Sequence, residues 1–162
     1  MSETRTMDGG RALHVARAVS GALAGGVLVY AGVAWYLVRS GAVAPLDHGV
    51  AEVVKQTWIV VMFACVIGWM VLWGRARHAA ASAAAHVEIV EETEGPEGLL
   101  RILIGGYALL EAVGLLGVTT FLLTGSLSAL VPALAIVVIG TALSFPREEW
   151  FEPFRRLERR RA

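Results

Sequence analysis

Two side chains invite a chemical reading before anything else. Glu111 is the one carboxylate inside the apolar stretch from Ile102 to Leu123, ILIGGYALLEAVGLLGVTTFLL. Tyr107 precedes it by four residues, which places both on one side of a helix and gives the carboxyl a possible hydrogen-bond donor. An acid at a membrane-helix centre costs about 2.5–3.5 kcal/mol, and each Leu, Ile, Phe or Val returns roughly 0.3–0.6 kcal/mol. Twelve such residues stand in this stretch and together return about 4–7 kcal/mol. The helix therefore inserts with its acid aboard, and an intramembrane acid is read first as a functional site.

The rest of the chain reads as whatever positions that helix. It has 162 residues, 56% of them hydrophobic, a proportion that points away from an ordinary soluble domain. Fourteen basic residues balance 14 acidic ones, so there is no electrostatic footprint for nucleic acid. The single cysteine, Cys65, excludes an intrachain disulfide and a cysteine-rich metal site. No acid pair, Ser/His/Asp set, phosphate loop or metal-ligand spacing falls on a shared face, so an enzyme is not expected and no cofactor is implied.

Four apolar runs have membrane-helix length: residues 18–38, 57–74, 102–123 and 127–145. The expected fold is all-α, a single integral membrane domain of four transmembrane helices in two tandem hairpins, followed by an amphipathic C-terminal segment. The first run is longer than a signal-peptide core and is read as a retained helix, although Ala42-Val43-Ala44 offers a small-x-small sequence after it. Trp35, Trp58 and Trp73 mark membrane boundaries. Asp47 is a plausible N-cap for the second helix. Residues 76–98 read as an alanine-rich helical extension followed by an acidic linker broken at Gly95-Pro96. In residues 147–162, Trp150, Phe151, Phe154 and Leu157 share one side of a helix and arginines the other, a pattern suited to a basic helix lying in the headgroup region.

Glycines suggest where helices meet. Gly21, Gly25, Gly26 and Gly32 lie in the first span, and Gly114 and Gly117 follow the acid in the third. Small residues at such spacing let backbones approach closely, so all six are candidate helix-packing positions. Basic residues set the orientation. Arg5, Arg11 and Arg17, then Arg75, Arg77 and Arg101, then Arg147, Arg155, Arg156, Arg159, Arg160 and Arg161 fall on one side, against Arg39 and Lys55 on the other. Both termini are therefore expected in the cytoplasm, and the arginine-rich, lysine-poor composition fits a bacterial inner-membrane protein.

Sliding the first span by 85 residues lays Gly21 over Gly106, Gly32 over Gly117 and Gly26 over Glu111, which suggests a parallel repeat of one hairpin. The stretch Tyr107-Ala-Leu-Leu-Glu111-Ala-Val-Gly-Leu-Leu-Gly117-Val resembles the carboxylate helix of the rotary ATPase c-type proteolipids. In that family the acid is followed at once by Ala and six residues later by Gly; here these are Ala112 and Gly117. The resemblance implies that Glu111 takes a proton or sodium ion reversibly and that the chain packs with other membrane helices. The residues alone leave a second role open, an accessory subunit in which Glu111 is a packing acid. Under either role the expected partners are the lipid bilayer and a homo- or hetero-oligomer.

Overall fold

A computed structural model describes residues 9–85 and 96–161 of the chain. Among these residues the regular secondary structure is all helix: α1 (Gly9–Arg39), α2 (His48–Ala85), α3 (Pro96–Thr124), α4 (Leu127–Ser144) and α5 (Glu148–Arg161). Four helices are long and apolar enough to cross a membrane, the fourth candidate running through α4. The architecture is thus an integral membrane bundle of four helices with a short fifth helix at the C-terminal end.

Helix α3 is the axis of the bundle. Leu99, Leu103, Gly106, Leu110, Val113, Gly117 and Thr120 are buried along it, at alternating steps of four and three that keep one stripe facing its neighbours. It packs against α1, α2 and α4. Where it meets them, small residues set the spacing. A methyl group on Gly114 would lie 2.6 Å from Val27 of α1 and 2.9 Å from Val137 of α4, and one on Gly140 would lie 2.7 Å from Leu110. In lipid there is no water to drive helices together, so close van der Waals approach of this kind holds the bundle.

The turns at one end, here the loop side, are built from glycine. Gly41 and Gly125 have φ of +71° and +66°, a left-handed conformation that costs a side-chain-bearing residue about 1–2 kcal/mol. The α1–α2 loop leans on the α3–α4 turn, where the Leu46 amide donates to the Leu123 carbonyl at 2.9 Å.

The opposite end, the tail side, extends past the membrane. Helix α2 has 38 residues and so spans about 57 Å at 1.5 Å per residue, well beyond a hydrocarbon core of about 30 Å. Its alanine-rich extension is not a bare rod in water. Ala76, Ala80 and Ala83 are buried, at steps of four and three, and Ala76 and Ala83 share a core with Ala12, Leu13 and Ala16 of α1, Leu99 and Leu100 of α3, and Phe151 and Phe154 of α5. On the tail side α5 packs against α1 and α2.

This arrangement revises the expectation for the tail. Phe151 is 0% exposed and Phe154 4%, so these two aromatics face protein rather than lipid headgroups. Gly9 lets α5 approach the start of α1, and a Cβ there would stand 3.2 Å from Arg155 Cγ. Arg17 fixes the corner between α4 and α5: its Nε donates to the Pro146 carbonyl at 3.3 Å, and its guanidinium lies 3.6 Å from Glu148. The acidic linker expected before Pro96 falls mostly outside the described residues.

Candidate functional site

Glu111 sits near the middle of α3 at the border between its covered and open faces. Tyr107, Gly114 and Val118 on one side of it are buried, while Ala108 and Leu115 on the other are exposed. The carboxylate is half-buried. The covered side belongs to α1. Val27 meets Gly114, Val118 is buried in one cluster with Val27 and Ala31, and Trp35 stacks on Phe121 with centroids 5.9 Å apart. These pairs make α1 and α3 parallel neighbours and place the α1 residues level with Glu111 near Leu23 and Ala24. Glu111 therefore borders the shallow groove where the two helices part.

Tyr107 does not serve the acid as expected. Its hydroxyl donates to the Ser144 carbonyl of α4 at 2.5 Å, and Ser20 of α1 interacts with the same hydroxyl. The physical reason is the lean of helical side chains toward the N-terminus. That lean carries the Tyr107 hydroxyl one way along the helix, while Glu111 lies one turn the other way. Tyr107, Ser20 and Ser144 are all buried. Ser20 Oγ donates to the Arg17 carbonyl and Ser144 Oγ to the Gly140 carbonyl, so a polar knot ties α1, α3 and α4 together on the tail side of the acid.

No hydrogen bond or ion pair to Glu111 occurs among the described residues, whose ion pairs include Arg17 with Glu148 and Arg156 with Glu152. Two turns away, the hydroxyls of Tyr30 and Thr119 bond to each other at 3.2 Å. Sequence reasoning passed over both residues, since a lone Tyr and a lone Thr carry no spacing signal across 89 positions. No cluster of three or more metal-ligating side chains occurs among the described residues.

The candidate packing glycines divide into two groups. Gly114 and Gly117 lie at close approaches inside the bundle, and a side chain at Gly117 would meet Ala133. Gly21, Gly25, Gly26 and Gly32 have nothing within 4 Å of the position a Cβ would take, and they leave the outer side of α1 smooth. The suggested repeat is accordingly not mirrored in surroundings: Gly106 and Gly117 are buried, while their counterparts Gly21 and Gly32 are exposed.

Comparison of the chain with family models, with curated proteins and with solved structures returns no match in any of the three.

Proposed function

We propose that this chain is a subunit of a larger membrane complex and that Glu111 is the point at which a neighbour completes it. One observation carries the reading: a half-buried carboxylate at mid-span, on the open edge of α3, with no partner in its own chain among the described residues. In hydrocarbon an unsatisfied polar group costs several kcal/mol. The complement therefore comes from outside the chain. A transmembrane segment of another subunit, or of a second copy, supplies it by presenting a hydroxyl, amide or basic donor. Gly26 and Ala108, small and exposed on the two helices that border the groove, favour the approach of such a segment.

A second reading follows from the half-exposure of the same carboxylate. A proton or sodium ion reaching it from the groove is the complement that the likeness to c-type proteolipids implies. The basic-residue asymmetry supports a setting in the bacterial cytoplasmic membrane with both termini inside.

Native mass spectrometry of gently extracted protein, paired with carbodiimide labelling in the membrane, separates the readings. A retained partner or second copy that is lost in Glu111→Ala supports the docking role. Labelling of Glu111 at neutral pH that cations suppress supports ion binding. A monomer that carbodiimide leaves unmodified overturns both.

A further inference from the structure

Helix α3 has neighbours on three sides and an uncovered fourth. Gly114 and Val118 turn toward Val27 of α1. Gly105 and Leu109 turn toward Leu72 and Gly68 of α2, and Leu110 and Gly117 toward Gly140 and Ala133 of α4. At 3.6 residues per turn these sets put α1 and α2 on opposite sides of α3, with α4 between them. The remaining side carries Ala108, Glu111, Ala112, Leu115 and Thr119, and none of the five is buried.

An uncovered side of a membrane helix ordinarily faces lipid, and Leu115 suits that. Two polar features do not. Glu111 has no hydrogen bond or ion pair among the described residues. Eight residues on, about 12 Å along the helix, the hydroxyls of Thr119 and Tyr30 share one hydrogen bond. One of their two hydroxyl hydrogens therefore has no acceptor among the described residues. Acyl chains can satisfy neither group, and in hydrocarbon such groups must be satisfied by protein.

Charge decides which protein. Acids within membrane spans pair with opposite charge or face a watery cavity. A second copy of this chain, inserted the same way, brings no cation to the depth of Glu111. Arg17 is nearest, about 10 Å toward the tail side, and it is already held by the Pro146 carbonyl and Glu148. Arg39, Lys55, Arg75, Arg77 and Arg101 lie farther off, toward the helix ends. Around that depth the outer faces show Leu28, Phe63, Ile67, Val138 and Ile139, which offer neither charge nor a hydrogen bond. The surface beside the acid is low, made by Ala108, Ala112 and Gly26. A long basic side chain can lie along it and place its head on the carboxylate, where charge-assisted hydrogen bonds are about twice as strong as neutral ones.

We propose that the uncovered side of α3 receives a transmembrane helix of a different polypeptide, one that carries a lysine or arginine at mid-depth to pair with Glu111. The inference rests on the docking role of Glu111 and narrows it to a basic, non-identical partner.

The test uses the full-length protein in phosphatidylcholine bilayers with leucine-rich transmembrane peptides of about 21 residues, association being read by fluorescence energy transfer. The peptides carry Arg, Gln or Leu at the centre, or Arg near one end. The Arg-centred peptide is expected to associate about tenfold more tightly than the Leu-centred one and more tightly than the Gln-centred one. The peptide with Arg near its end is expected to behave as the Leu-centred one. Glu111→Gln, which keeps the side chain's shape, is expected to abolish the advantage of central Arg. An Arg-centred peptide that binds no better than the Gln-centred one overturns the proposal, as does an advantage that survives Glu111→Gln. If the Gln-centred peptide or a second labelled copy of the chain binds as tightly as the Arg-centred peptide, and does so only with Glu111 present, the basic partner is overturned while the docking role stands. If no association depends on Glu111, both fall.

Discussion

Gly117 of α3 and Ala133 of α4 pack so closely that any side chain at position 117 would overlap the Ala133 methyl, with the Trp58 indole nitrogen 3.2 Å from the same point. Three helices converge there, α2, α3 and α4. Adding atoms to a packed interior costs about 1–3 kcal/mol. Gly117→Ala is therefore expected to lower stability by that amount in detergent unfolding, and Gly117→Ala combined with Ala133→Gly to recover part of the loss. Gly21→Ala, where nothing lies within 4 Å, is the matched control and is expected to leave the unfolding of the monomer unchanged.

Tyr107 spends its hydroxyl on the Ser144 backbone carbonyl. Tyr107→Phe is expected to cost about 1 kcal/mol, the net worth of such a bond, with the loss seen as faster hydrogen exchange near the end of α4. Carbodiimide reactivity of Glu111 is expected to stay as in the wild type, since the hydroxyl does not touch the acid. A change in that reactivity would place the phenol back beside the carboxylate.

Phe151 is the anchor of α5. Removing a buried phenylalanine side chain costs about 3–5 kcal/mol, and here the loss falls on one short helix. Phe151→Ala is expected to release α5 from α1 and α2, so that exchange over Glu148–Arg161 rises sharply while α3 and α4 keep their protection. Uniform loss of protection across the bundle would mean that the tail-side layer and the membrane part unfold as one.

Among the described residues Glu111 has no hydrogen bond or ion pair within its own chain. Glu111→Leu is expected to leave the isolated monomer at least as stable as wild type, since leucine removes an acid that has no complement until a neighbour binds. Thermal denaturation in detergent checks this. Strong destabilisation of the monomer would show that the acid has a partner within the chain and would remove the main support for an external one.

The spans were legible from the sequence because apolar length alone decides whether a helix crosses a bilayer. Glu111 was legible for the same reason, as the exception within its run. Its surroundings were not. The side of α3 that α1 covers depends on where Val27 and Gly114 meet, and no local pattern encodes a pairing across 87 positions. The tail was read as lipid-facing because an aromatic stripe suits a membrane surface and a protein surface equally well. What chose between them was a set of alanines at 76, 80 and 83 and Gly9, which together leave room for Phe151 and Phe154.

Helix α2 runs without a break from His48 to Ala85, and long helices curve only gently, with radii of about 60–100 Å. One continuous helix therefore joins the tail-side layer at Ala76 and Ala83 to the contacts of Trp58 with Ala129 and Ala133 near the loop side, so neither packed layer can be repositioned without the helix that carries the other.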